Sequence, residues 1–259
     1  MLYENYQTLA TEMKGNILVV SLNRPEHLNA LTSTMMNELE DLWRKLRDDN
    51  KTRVVILKGA GEKGFCGGVD IKEAPPADAF DMGANFAYES QTRHGQLQLL
   101  MRQIPQPIIC CIHGAAAGAG LSFALASDIR IITPNARFSA FYINVGLGGA
   151  DMSSSYFLPR HIGSGRAYEF LLTGDFMNAA DAMNLGLASR MVEYEQLMDT
   201  AMELAQKIAA KDFLAIRLTK EAINVNLDVS GLENALRMED RNQALMIMHN
   251  VALGRNAMA

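Results

Sequence analysis

The groups best placed for chemistry in this sequence are backbone amides, in two glycine-rich segments that each follow an apolar run. The segment GAAAGAGLSF, residues 114–123, has glycines at 114, 118 and 120 directly before a helical pattern. It lacks the Lys-Ser/Thr pair that a P-loop requires after its last glycine. Phe123 stands where the dinucleotide fingerprint has its third glycine. This pattern is therefore not typical of a phosphate-binding loop.

The other segment, FCGGVDI over residues 65–71, follows the strand-like run VVILKG. Small residues in both segments let a ligand approach the backbone closely, and the segment at 114–123 adds the positive end of a helix dipole. Two N–H groups that converge on one oxygen form an oxyanion hole. The two segments are therefore either the walls of an oxyanion hole or only tight strand-to-helix turns.

Bulk composition excludes several classes of protein. The 259 residues include 49% hydrophobic residues and carry a net charge of -5, so no basic field attracts nucleic acid or an anionic membrane surface. No apolar run approaches the roughly 20 residues that span a bilayer. Cys66, Cys110 and Cys111 lack metal-ligand spacing, which predicts reduced thiols in a cytoplasmic protein.

Strand and helix patterns alternate over the first 150 residues, which predicts an α/β fold with a largely parallel sheet. A hairpin is expected around Lys14-Gly15-Asn16, a helix from Thr32 to about Asp48, and a loop over residues 60–74. Residues 74–95 are interpreted as a mobile segment plus a helix that together form a lid. After residue 150 the patterns are mostly helical.

The chain resembles the crotonase family, also called the enoyl-CoA hydratase/isomerase superfamily. The resemblance runs from about Tyr6 to Leu253 and is carried, in family order, by LNRPEHLNALT, FCGGVDIKE, PIICCIHGAAAGAGLSFALASDIRI, ARFSAFYINVGL, FLPRHIGSGRAYEFLLTG and LTKEAI. It implies a ββα spiral core over residues 1–200 and a helical oligomerisation region over residues 201–259. It also implies an acyl-CoA substrate, a homotrimer or homohexamer, and no cofactor beyond the coenzyme A of the thioester.

The resemblance also assigns site residues. The backbone N–H groups of Val69 and Ala119 would form the oxyanion hole for the thioester oxygen. Contacts to coenzyme A or the acyl group are expected from a larger set, namely Arg24, Asn29, Ala30, Leu31, Gly68, Asp70, Ile71, Lys72, Gly118 and Lys220.

Three positions depart from the family pattern or supplement it. Ser122 and Tyr142 stand where the family's hydratases carry two glutamates, and each hydroxyl could hydrogen-bond a water or a substrate oxygen. Asp151 falls where the dienoyl-CoA isomerase and chlorobenzoyl-CoA dehalogenase branches carry a functional aspartate. It is either a catalytic carboxylate or the N-cap of a helix over residues 152–161.

Three functions remain open from the sequence. The first is hydration or double-bond isomerisation of an enoyl-CoA without the usual glutamate pair. The second is hydrolysis or dehalogenation with Asp151 as nucleophile or base, and the third is non-catalytic acyl-CoA binding. The other polar candidates, expected to be surface or structural residues with no metal-ligand cluster among them, are Glu89, His94, His113, His161 and His27.

Overall fold

Strands and helices alternate along the chain as the sequence pattern predicts. The computed structural model describes residues 3–73 and 83–255. The strands are β1 (Leu9–Lys14), β2 (Ile17–Leu22), β3 (Val54–Gly59), β4 (Gly64–Cys66), β5 (Ile108–Ile112), β6 (Ala115–Ala117), β7 (Ile129–Ile132), β8 (Arg137–Ser139), β9 (Met177–Asn178) and β10 (Arg190–Met191). The helices are α1 (Ser33–Asp48), α2 (Gly83–Gln103), α3 (Ala119–Ala126), α4 (Ser154–Ile162), α5 (Ser164–Thr173), α6 (Ala179–Asn184), α7 (Tyr194–Ala209), α8 (Phe213–Asn226) and α9 (Leu232–Ala252).

From β3 to β8, successive strands alternate between two sheets, as expected for a ββα spiral. Within the described residues, one sheet has the order β1-β2-β3-β5-β7-β10 and the other has the order β4-β6-β8-β9. Among the strand pairs of the described residues, only β1–β2 and β8–β9 are antiparallel. Each of the pairs β3/β4, β5/β6 and β7/β8 therefore places one strand in each sheet. This topology confirms the predicted α/β fold class and crotonase-like core.

Both faces of the larger sheet are buried, which explains its continuous apolar strands. In β3, Val55 and Leu57 belong to the main core with α1 and α3, whereas Val54 and Ile56 face helix α7. The three cysteines, Cys66, Cys110 and Cys111, are buried.

Helix α7 closes the sheet and spans the boundary predicted between residues 200 and 201. Its buried residues Leu197, Ala201 and Ala205 pack on strands of the larger sheet. By contrast, α9 has no buried residue along its described length. The change from sheet-packed to exposed helices therefore comes after α7 in this chain.

Two short strands lie where the sequence predicts a loop or a glycine turn. Strand β4 lies inside the predicted loop 60–74, and β6 consists of three alanines in the glycine-rich segment. The lid prediction is tested only in part, since residues 74–82 lie outside the described residues and 83–95 belong to the regular helix α2. None of the described helices is both long enough and apolar enough to span a membrane.

Candidate functional site

The two glycine loops touch each other at Gly68 and Gly118. A Cβ added to Gly118 would lie 3.5 Å from the Gly68 Cα, and a Cβ on Gly68 would lie 3.3 Å from the Ala117 carbonyl oxygen. Their φ angles of +112° and +51° also favour glycine at both positions. The loops therefore meet backbone to backbone, and the next residues, Val69 and Ala119, flank this contact.

The N–H groups of Val69, which is 42% exposed, and of the buried Ala119 are not used in hydrogen bonds within the described chain. The Leu31 N–H donates to the Gly68 carbonyl (2.8 Å) and the Asp70 N–H donates to the Leu31 carbonyl (2.9 Å), so the Val69 N–H points to the opposite side. Ala119 is the first residue of α3, where a helix leaves its N–H groups without an intrahelical acceptor. In the described part of the chain, neither N–H has a protein acceptor.

Close packing of α3 on β4 fixes the start of this helix. A Cβ on Gly120 would lie 2.2 Å from the Cys66 carbonyl oxygen and 2.8 Å from the Cys66 Cβ. Only glycine therefore allows the helix to begin directly against the strand. All residues of α3 are buried, so the position of its N-terminal amides is set by packing.

Ser122 and Tyr142 lie together beneath the second loop. The two hydroxyls are 2.6 Å apart, and the Tyr142 hydroxyl donates to the Gly118 carbonyl oxygen at 2.7 Å. Ser122 is fully buried and Tyr142 is 6% exposed. Burial raises the pKa of Tyr142; the Ser122 hydrogen bond opposes that rise, and the nearby charge of Asp151 adds to it. Tyr142 is therefore neutral at physiological pH and cannot act as a general base.

Asp151 presents a carboxylate in the same region. Its Oδ1 accepts hydrogen bonds from Gln91 Nε2 on α2 (2.5 Å) and from the Met152 N–H (2.7 Å). Its Oδ2 has no hydrogen-bond partner among the residues that the structure describes. The alternative assignment of Asp151 as a helix N-cap is wrong, because α4 begins at Ser154 with Ser153 as N-cap. Gln91 had no signal in the sequence, since only the packing of α2 brings it to Asp151.

Arg24 and the segment after Val69 form one side of the site. Arg24 Nη1 donates to Asp70 Oδ2 (2.9 Å) and to the Ala30 carbonyl oxygen (2.7 Å). Partial burial opposes ionisation of Asp70, but hydrogen bonds from Arg24 and from the Lys72 N–H lower its pKa overall. Ile71 is 82% exposed and Lys72 is exposed, so both are accessible to a ligand.

Asn29 is a structural cross-link as well as a predicted contact. Its Nδ2 donates to the carbonyl oxygens of Ala60, Gly64 and Phe65, and its Oδ1 accepts from the Arg24 N–H. Asn29 is 0% exposed and Leu31 is 1% exposed, backbone included, so the structure exposes neither residue for the ligand contact that the family resemblance implies. The Asn29 side chain ties the segment around residues 24–31 to the loop that leads into β4.

Lys220 lies apart from these loops. Its ammonium forms an ion pair with Asp128 (2.9 Å) and donates to the carbonyl oxygens of Gln106 (2.8 Å) and Met101 (3.4 Å). Lys220 is 7% exposed. The structure therefore uses this cation inside the protein and does not bring it to the other predicted site residues.

The remaining polar candidates add no further reacting group at the loops. Glu89 and His94 are exposed or partly exposed on α2, and His113 is buried, which lowers its pKa. His161 was expected at the surface, but it is partly buried beside Arg130, and burial lowers its pKa to about 4. Across residues 3–73 and 83–255, no group of three or more His, Cys, Asp or Glu side chains is arranged to hold a metal ion.

Comparison with known proteins gives consistent results over nearly the whole chain. Residues 12–257 match the family described as enoyl-CoA hydratase/isomerase. A relative named as a probable enoyl-CoA hydratase of Mycobacterium bovis is 37% identical over 91% of this chain and 83% of its own length. The (E)-benzylidenesuccinyl-CoA hydratase of Thauera aromatica is 38% identical over 84% of this chain and 82% of its own length. The crystal structure of an enoyl-CoA hydratase from Bacillus anthracis superposes with a TM-score of 0.84 at 31% identity, covering 96% of this chain and 97% of that one.

Proposed function

This chain belongs to the enoyl-CoA hydratase/isomerase family, and from that premise we propose that it stabilises a thioester enolate between the amides of Val69 and Ala119. The observation that carries the proposal is that both N–H groups lack a protein acceptor in the described chain and flank the contact of two glycines. A donor pair fixed before the substrate arrives stabilises charge that develops on the oxygen. Loss of one such donor typically costs about 3–4 kcal/mol of barrier lowering.

Asp151 is the proposed acid–base group. Its Oδ1 is held by Gln91 and the Met152 N–H, whereas Oδ2 has no partner in the described chain. In isomerisation, this carboxylate removes a proton from one substrate carbon as the electron pair moves toward the thioester oxygen, and it returns the proton to another carbon. In hydration, water adds its oxygen to the β carbon and Asp151 relays a proton to the α carbon.

The coenzyme A portion is proposed to lie along the side formed by Arg24, Ala30 and residues 70–72, which are the exposed or partly exposed members of the predicted contact set. The Arg24–Asp70 ion pair holds this side together, and Lys72 provides an exposed cation next to it. A local cation favours a phosphate even though the whole chain carries a charge of -5. Lys220 is left out of this proposal because its ammonium is paired with Asp128.

Exchange of the α hydrogens tests enolate formation without knowledge of the natural acyl group. We expect the wild-type protein to exchange α protons of butyryl-CoA or phenylacetyl-CoA for deuterium in D₂O, measured by mass spectrometry. Asp151→Asn keeps an oxygen to accept from Gln91 and Met152 but loses the base, so exchange should fall by about 10²–10⁴-fold. Asp175→Asn, a change at an exposed aspartate, serves as the matched control.

The product then separates the two reactions. With a 2-enoyl-CoA, hydration adds the mass of one water, whereas conversion of a 3-enoyl-CoA into its 2-enoyl isomer leaves the mass unchanged. Wild-type protein that binds acyl-CoA but exchanges no α hydrogen in any compound of the panel would contradict the proposal. Release of free coenzyme A or halide without exchange would favour a hydrolytic reaction instead.

A further inference from the structure

One peptide group joins the second loop to its buried hydroxyl pair. The Gly118 carbonyl and the Ala119 N–H belong to the same planar peptide unit, so the orientation of one fixes that of the other. The carbonyl oxygen accepts from the Tyr142 hydroxyl (2.7 Å) and from the Ser122 N–H (3.1 Å). The N–H at the other side of that plane is the proposed oxyanion donor.

A count of protons gives the direction of the side-chain hydrogen bonds. A carbonyl oxygen can only accept, so the single phenolic proton of Tyr142 is the one that lies toward Gly118. The 2.6 Å contact between the two hydroxyls then requires Ser122 to donate to Tyr142. Both protons are used within the protein, and neither remains for transfer to a substrate or a water.

We propose that Tyr142, assisted by Ser122, is a positioning residue that orients and polarises the Gly118–Ala119 peptide, which makes the Ala119 N–H a stronger donor to the thioester oxygen. This inference rests on the proposed function, since it needs Ala119 to be an oxyanion donor. Hydrogen bonds in a chain polarise one another, by about 10–30% per bond. The two hydroxyls thereby serve the oxyanion hole from the positions at which the family's hydratases carry glutamates.

Two further observations fit this role. Burial and the charge of Asp151 raise the pKa of Tyr142, so the phenol keeps the proton that it donates to Gly118. The Tyr142 ring also packs on Gly118, since a Cβ added there would lie 3.5 Å from the Tyr142 Cε1. Ring packing and the hydroxyl bond are separable, because phenylalanine keeps the ring and removes only the hydroxyl.

Infrared spectroscopy of a bound thioester measures this effect directly. The probe is butyryl-CoA labelled with ¹³C at the thioester carbonyl, which has no double bond to hydrate or move. At saturation, we expect the carbonyl stretch to move to lower frequency on the wild-type protein. In Tyr142→Phe this displacement should be about 10–30% smaller. The rate of α-hydrogen exchange at saturation should fall by about tenfold, with little change in KM. This fall is smaller than the roughly 10²–10³-fold loss of rate caused by removal of a whole oxyanion-hole donor, because the Ala119 N–H remains in place.

Tyr3→Phe is the matched control, since it also removes one hydroxyl bond from a buried tyrosine, here the 2.6 Å bond to Asp49. Its carbonyl displacement should equal that of the wild type. Ser122→Ala removes only the hydrogen bond from Ser122 to the Tyr142 hydroxyl and keeps the bond from Tyr142 to the Gly118 carbonyl. Its carbonyl displacement should therefore lie between those of the wild type and Tyr142→Phe. It also keeps the test open if Tyr142→Phe does not fold.

The outcomes separate the two proposals. A wild-type displacement that Tyr142→Phe and Ser122→Ala leave unchanged would overturn the positioning role while the proposed function stands. No displacement in the wild-type protein would contradict the oxyanion hole itself, and the positioning role with it.

Discussion

Four residues around the site adopt left-handed backbone conformations without being glycine. Leu28 and Asn29 have φ of 51° and 53°, and Met152 and Ser153 have φ of 45° and 75°. Such conformations cost on the order of 1 kcal/mol each and persist where surrounding contacts impose them. At Asn29 the compensating contacts are visible, since its side chain makes hydrogen bonds to the backbone of Arg24, Ala60, Gly64 and Phe65.

Asn29→Asp tests this cross-link with almost no change of shape. A carboxylate oxygen would face three carbonyl oxygens that now accept from Nδ2, so the free energy of unfolding should fall by about 2 kcal/mol or more. Urea denaturation measures the change. Asn234→Asp is the control, because Asn234 makes one exposed hydrogen bond to the Ser230 carbonyl. Equal stability of the two variants would show that Asn29 does not hold the loop.

His161 makes stability depend on pH in a defined window. Burial, with the charges of Arg130 and Arg102, lowers its pKa from 6.5 to about 4. Between these values the unfolded chain binds a proton that the folded protein does not, so stability falls as pH falls from about 6.5 toward 4. His161→Gln should lose less unfolding free energy between pH 7 and pH 5 than the wild type. Urea denaturation at the two pH values measures these losses. If the wild type and His161→Gln lose the same unfolding free energy between pH 7 and pH 5, the assignment to His161 is contradicted.

At the scale of elements, the start of α3 against β4 controls the second loop. Ala in place of Gly120 would bring its Cβ within 2.2 Å of the Cys66 carbonyl oxygen, so the helix would have to move away from the strand. Gly120→Ala should therefore lower the free energy of unfolding by about 1–3 kcal/mol and reduce α-hydrogen exchange. Thermal unfolding and the exchange assay measure the two effects.

Gly165→Ala is the matched control for that substitution. Gly165 is the second residue of α5, as Gly120 is of α3, but a Cβ there meets no atom within 4 Å. We expect its stability to be unchanged or raised by up to about 1 kcal/mol. If Gly120→Ala and Gly165→Ala have the same free energy of unfolding, the steric explanation for glycine at position 120 is wrong.

The longer helices and strands could be predicted from the sequence because the spacing of their apolar residues matches the face that each element buries. Helix α1 follows this rule, since it was predicted from Thr32 to about Asp48 and runs from Ser33 to Asp48 after the N-cap Thr32. Strands β4 and β6 have only three residues each, and their pairing depends on neighbours distant in sequence. Composition alone therefore could not reveal them.

Within the candidate site, the glycines that pack closely could be predicted from the sequence, whereas the pairing between side chains could not. Glycines at positions 68, 118 and 120 indicate that another segment approaches the backbone closely. In the structure, a Cβ at each of these positions would lie 2.2–3.5 Å from an atom of a neighbouring backbone segment. Lys220 was predicted as a ligand contact because its position in the LTKEAI block matches a lysine that contacts the nucleotide in the family. Its burial against Asp128 arises from the packing of α8 on distant segments, which no local pattern shows.

At the scale of the whole molecule, the C-terminal helices leave a large apolar surface exposed. No described residue of α9 is buried, and on α8 and α9 the exposed apolar side chains include Ile223, Leu232, Ile247, Met248 and Val251. Soluble monomers rarely expose apolar surface on this scale. This observation favours the oligomer that the family resemblance implies.

Sedimentation velocity should therefore give a species larger than the 28.5 kDa monomer. The double variant Met248→Asp/Val251→Asp places two charges on exposed positions of α9 and should shift the protein toward the monomer. Met13→Asp, at an exposed position on β1, should leave the assembly unchanged. A wild-type protein that sediments as a monomer at all concentrations would contradict this prediction.

A crystal structure with a non-reacting acyl-CoA analogue tests the central claim most directly. The measured quantities are the distances from the thioester carbonyl oxygen to the amide nitrogens of Val69 and Ala119. We predict both to be about 2.7–3.1 Å. An analogue that binds with its thioester oxygen away from these two amides would contradict the account, as would amides that turn toward protein carbonyls when the ligand is bound.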